Sequence, residues 1–305
     1  MLGYTERTKK LRELSVASQT AVSLERALLE TEFYEKYYGT VETPVLRAFN
    51  FKNLMENRKL YIGEDELIVG EKSEGPQVVP TFPELCCHTV EDMTVMNDRK
   101  YISFKVKEED KKLQQDKIIP YWEKRSVRHK ILEAMTQEWK DCYVAGMFTE
   151  FMEQRAPGHT VADGKIYEKG FLDFKNEIEE EVERLDFIND PDAYDKKAQL
   201  TGMAISCDAI IIYGQRYAKY ARELASKETN PKRKEELLWI ANNCTIVPAH
   251  KPETFAQALQ MYWFVHVGVT TELNTWDSFS PGRLDQYIYP FYKKEKEEGT
   301  IDYHK

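Results

Sequence analysis

The chain has no long apolar run, no surplus of positive charge and few cysteines, and each shortage excludes a class of protein. No stretch approaches the ~20 apolar residues needed to span a bilayer, so no membrane association is expected. Asp and Glu number 52 against 43 Lys and Arg, a formal charge of −9, with a pI near 5.4. Without positive surplus there is little to displace counterions from phosphates, so no nucleic-acid partner is expected. Five cysteines stand at positions 86, 87, 142, 207 and 244, an odd count without a C-x-x-C pair. They form neither a disulfide framework nor a zinc site, and read as free thiols in a reducing compartment. Cys86-Cys87-His88 groups ligand types, but neighbouring residues seldom share one ion and no second half-site follows, so no metal is expected. Also missing are a P-loop, a G-x-S-x-G elbow and a G-x-G-x-x-G turn after a strand. The first residues pass from Met1-Leu2-Gly3 straight into charge, unlike a secretory signal, which points to a soluble, cytoplasmic protein.

What is present suits a packed interior. Hydrophobic residues make up 42% of the 305 and aromatic ones 12%, well away from a disordered composition. No Gly/Ser linker and no repeat of 20–50 residues divides the chain, so residues 1–305 are read as one region. The pattern is mainly α with a few short strands. Helices are expected over 5–17, from an N-cap at Ser23 to a stop at Gly39, and from Pro44 to about Asn57. The apolar run Glu66–Gly70 reads as a buried strand, and Lys100–Val106 as a strand or extended edge. Further helices are expected over 108–115 and 126–143 and from about 168, the last carrying the solvated acidic run 177–183. One long helix or two should fill 191–224, with Gly202 and Gly214 allowing close packing. Pro231 opens a helix ending at Asn242-Asn243, and Pro252 opens an apolar one through Phe255, Leu259, Tyr262, Trp263, His266 and Val269. Ser280-Pro281 reads as the N-cap and first residue of the next. The final residues, 299–305, read as a helix stop and the start of another element, suggesting a piece of something larger.

Two polar loops carry the residues worth testing. In Phe148–Gly164, Pro157-Gly158 forces a turn, so His159 projects from irregular backbone and can exchange a proton near neutrality. The plainer reading is an exposed histidine making a local hydrogen bond. In Asn274–Arg283, Asp277 lies between Trp276 and Phe279, and a desolvated carboxylate there needs a cation or donors. Arg283, the amides opening the next helix, or a ligand ammonium would each serve.

At these loops, and at Glu6–Arg12, Ser23-Leu-Glu-Arg26, Arg47-Ala48, Glu66–Gly70, the 151–174 block and Trp276–Arg283, the chain resembles the N-terminal region of glycyl radical enzymes. That family includes pyruvate formate-lyase and the C–O and C–N lyases of glycerol and choline. Within it, the two loops look most like the members that dehydrate trans-4-hydroxy-L-proline. The resemblance implies the N-terminal part of an α/β barrel with the site inside. It implies loss of water from trans-4-hydroxy-L-proline to give 1-pyrroline-5-carboxylate. Asp277 then matches the acidic group on the ring ammonium, His159 a polar residue near the hydroxyl, and Phe151 an apolar wall. Phe279 and Ser280 adjoin the site. The family holds no bound cofactor; its protein glycyl radical is installed by an activating enzyme that uses S-adenosylmethionine and an iron–sulfur cluster. Dimerisation is common in it, so a homodimer is expected.

The departures bear on activity. No cysteine of the chain is followed by Glu at the second position, so the family's C-x-E is absent, as is its R-V-x-G radical loop. Both are expected downstream of Lys305, and the 305 residues alone are expected to be inactive. A diol- or choline-type lyase and a non-catalytic helical scaffold derived from the family are the competing readings.

Overall fold

In the computed structural model the residues described are 5–148, 162–272 and 280–301. They are mainly helical. α1 (Glu6–Ala17) leads into β1 (Ala21–Ser23), followed by α2 (Glu25–Tyr37) and α3 (Thr43–Asn57). β2 (Val78–Pro80) pairs in parallel with β1, Val22 opposite Val79, and among the described residues these are the two strands. Next come α4 (Val90–Asp98), α5 (Glu108–Leu113), a π-helical turn (Gln114–Ile118), α6 (Ile119–Trp122), α7 (Val127–Ala134) and α8 (Gln137–Val144). The second half holds α9 (Lys165–Glu168), α10 (Phe171–Glu183), α11 (Ala193–Lys227), α12 (Pro231–Ile246), α13 (Phe255–Glu272) and α14 (Leu284–Glu297).

α11 is the axis of the fold. Its 35 residues run unbroken, and α3, α10 and α12 pack along it. The close approaches need its glycines: a Cβ on Gly202 would lie 2.9 Å from the Pro44 carbonyl oxygen, and one on Gly214 would lie 2.5 Å from Pro248 Cδ. The main core gathers Tyr213 and Tyr217 of α11, Phe264 of α13, Ile240 of α12, and Val69. The two tyrosines and Phe264 meet edge-on or tilted at 5.0–5.7 Å, a favourable arrangement of ring quadrupoles. A second cluster joins Ile166 and Tyr167 to Met261 and Val265 of α13.

Several boundaries differ from expectation. The run 66–70 is not a strand. Gln260 of α13 instead accepts from Val69 N (2.9 Å) and donates to Val69 O (2.7 Å), so a side-chain amide supplies the pairing a ladder would have given. Ser23 does not cap α2, whose N-cap is Leu24; it ends β1, and its hydroxyl donates to Glu74 while accepting from Glu25 N. The helix expected over 126–143 is two, because Met135 and Thr136 are extended. α12 runs past the two asparagines to Ile246. Lys100–Val106 contributes one bridge, Ala21 with Lys105, and so is an edge rather than a strand. α14 begins at Leu284, beyond Ser280-Pro281. Among the described residues no helix is long and apolar enough to cross a membrane, and no cluster of metal-ligating side chains occurs.

Candidate active site

Phe151, His159, Asp277 and Phe279 lie outside the described residues. Ser280 is described: it is exposed, and its hydroxyl accepts from Gly282 N at 3.1 Å. What the structure gives is the frame around the two loops, and that frame brings their edges together. Asp163, near the end of the first loop, accepts a hydrogen bond from Tyr287, just beyond the second. Tyr287 also stacks on Tyr167, with centroids 5.6 Å apart and planes 26° from parallel, and a Cβ on Gly164 would lie 3.3 Å from its ring.

A cavity of about 920 Å³ opens between α3, α10, α11 and α13. Its walls are mostly apolar, among them Phe51, Phe174, Ile210 and Val265. Ala162 and Glu272 both line it, so the end of the first loop and the end of α13, just before the second loop, face one space. Arg47 of α3 donates from Nε (3.0 Å) and Nη2 (2.5 Å) to Glu272 Oε1 at its margin. Cys207 also lines the cavity. Burial, aided by the Asp208 carboxylate, pushes its thiol up to about 11, so near neutrality it is not a thiolate nucleophile.

Behind that margin lies a buried charge cluster. Arg26 of α2 grips Glu84 with both terminal nitrogens (3.1 and 2.8 Å), donates from Nε to the Thr271 carbonyl (2.8 Å), and lies 4.0 Å over the Phe82 ring. Glu30 Oε2 stands 2.6 Å from Arg26 Nη1 but accepts no hydrogen bond. Burial holds the Glu30 carboxyl well above the usual range against the pull of Arg26, and Glu84 beside it adds to the rise. Sequence reasoning missed this cluster. Its signal was Arg26 itself, three residues after the expected cap Ser23, where a capping box begun there would have carried Glu.

The family model for pyruvate formate lyase-like proteins matches residues 4–305. The chain belongs to this family. Trans-4-hydroxy-L-proline dehydratase of Clostridioides difficile is 59% identical over 300 residues, 98% of this chain and 38% of that protein. Isethionate sulfite-lyase of Oleidesulfovibrio alaskensis is 31% identical over 296 residues, 92% of this chain and 35% of that protein. Among solved structures, hydroxyproline dehydratase of C. difficile with trans-4-hydroxy-L-proline bound superposes with a TM-score of 0.94 at 59% identity, covering 98% of this chain and 38% of that one. The glycerol-bound B12-independent glycerol dehydratase of Clostridium butyricum gives 0.89 at 32% identity, over 96% and 37%. The chain thus spans less than two fifths of the length of these pyruvate formate lyase-like relatives.

Proposed function

We propose that residues 1–305 form the N-terminal region of a glycyl radical hydro-lyase, part of its α/β barrel, that converts trans-4-hydroxy-L-proline to 1-pyrroline-5-carboxylate and water. The single observation that carries the reading is the 59% identity to the C. difficile dehydratase across 98% of this chain. The joined edges of the two loops at one apolar cavity support it. Asp277 holds the ring ammonium, and a charge-assisted contact in a dry pocket favours a cationic amine over neutral glycerol. His159 borders the departing hydroxyl, Phe151 forms an apolar wall, and Phe279 and Ser280 adjoin. The radical, installed by an activating enzyme on residues this chain does not carry, supplies the hydrogen abstraction. The complete enzyme is a homodimer in this reading.

A chimera tests it: this chain replaces the aligned region of the C. difficile dehydratase, and the activated protein is assayed with trans-4-hydroxy-L-proline, glycerol and choline. Turnover of the amino acid, lowered at least 100-fold by Asp277→Asn, is the expected result; a loss of that size matches removal of one buried charged contact. Turnover of glycerol or choline in its place, or indifference to the substitution, refutes the assignment.

A further inference from the structure

We propose that Arg26, Arg47 and Arg58 are positioning residues for substrate binding, which fix the last turn of α13 at the edge of the cavity. The inference rests on the reading above, in which Asp277, five residues past Glu272, takes the substrate ammonium.

Three guanidinium groups from other elements converge on two consecutive residues. Arg26 of α2 donates to the Thr271 carbonyl (2.8 Å). Arg58, at the C-cap of α3, donates to Thr271 Oγ1 (2.9 Å). Arg47 of α3 clasps the Glu272 carboxylate. The last carbonyls of a helix lack intrahelical donors and carry the negative end of its dipole, so cations there satisfy both needs. One arginine would suffice for that. Here each buried one is itself held: Arg26 by Glu84 and the Phe82 ring, and Arg58 by the Glu71 carbonyl and the Tyr213 ring. Arg26 and Arg58 are 5% and 4% exposed. Burying charge this deeply returns little stability compared with apolar packing. It does fix direction, because planar forks held on several sides leave a helix end one orientation. A binding group displaced by about 1 Å loses up to 100-fold in effect, so the direction in which α13 ends sets how well the following loop meets its ligand.

Arg47 is the residue to change, because its side chain is partly exposed and its loss strands no buried charge. In the chimera, Arg47→Met is expected to raise the Kd for trans-4-hydroxy-L-proline about tenfold, read by calorimetry on unactivated protein. KM should rise with it while kcat changes less, and Tm should stay within about 3 °C, as for a surface substitution. Arg47→Lys should recover most of the affinity. Thr271→Val, which removes the Arg58 acceptor without changing shape, should weaken binding in the same direction. Unchanged Kd and KM in both variants, whatever happens to Tm, overturns the positioning role while leaving the proposed function intact. An unsubstituted chimera that binds no trans-4-hydroxy-L-proline overturns both.

Discussion

Glu30 and Arg26 face each other in the interior, one turn apart on α2, yet they should respond differently to substitution. Glu30 is 3% exposed, and burial keeps its carboxyl protonated beyond the usual range. Glutamine reproduces a neutral carboxyl, with its NH2 able to donate toward Glu84 where the proton did. Glu30→Gln is therefore expected to cost less than about 1 kcal/mol at pH 7. Arg26→Met removes the bidentate cation from the buried Glu84 carboxylate, a loss of about 3–5 kcal/mol. Urea unfolding separates the two. The pH dependence supplies a further check on the same pair. A carboxyl whose folded pKa is raised binds its proton more tightly folded than unfolded. Its contribution is full below the unfolded value and is lost as pH rises through the folded one. The wild-type chain should thus lose stability relative to Glu30→Gln as pH climbs out of the carboxylate range. Equal costs for the two substitutions, or parallel pH profiles, would show that Glu30 is charged in the fold.

At the scale of elements, what decides α11 is how closely its neighbours lie. Gly214→Ala puts a methyl 2.5 Å from Pro248 Cδ and 3.1 Å from the Val247 carbonyl oxygen. Gly268→Ala on α13 meets mainly the tip of Ile210, 2.8 Å away, which can rotate aside. Alanine gains up to about 1 kcal/mol of helix propensity at either place. The clash with fixed ring and backbone should dominate at Gly214, for a net loss of about 1–3 kcal/mol, whereas Gly268→Ala should come out near zero. Denaturant midpoints give the order, and a reversed order would refute the packing account. Gly214, like Gly202, was readable in the sequence as a close-packing point, as was Pro44 in the first turn of α3. Periodicity located helices that need a buried stripe, and the existence of α3, α11 and α13 follows from it. It failed where a side chain replaced backbone pairing, as Gln260 does for Val69, because no local pattern announces a partner 191 residues away. It failed likewise for the charge cluster at Arg26, whose members Glu84 and Thr271 are 58 and 245 residues distant. Of the site residues, Ser280 alone falls in the described structure, so the sequence motifs rather than the geometry single out Phe151, His159, Asp277 and Phe279.

Across the whole molecule, several elements leave large apolar side chains facing water. α7, α8 and α14 bury no residue, although Trp139, Val144 and Tyr289 on the last two are large and 57–85% exposed. The cavity between α3, α10, α11 and α13 adds a further apolar surface. Soluble monomers rarely leave such surfaces bare, and covered ones contribute stability in proportion to their area. The chain spans 38% of the C. difficile relative, which leaves the larger part of that protein to do the covering. A polypeptide comprising the unmatched part of that relative, co-expressed with this chain, should therefore co-purify with it. Binding to the folded state alone stabilises by mass action, about 2.7 kcal/mol at a hundredfold excess over Kd, which for a chain of this size is a rise in Tm of roughly 5 °C. The rise should grow with the concentration of the second polypeptide and shrink in Met203→Glu, which places a charge on the cavity wall. If the two polypeptides stay apart while both remain in solution, the cavity is no docking surface for the larger part, and the barrel reading fails with it.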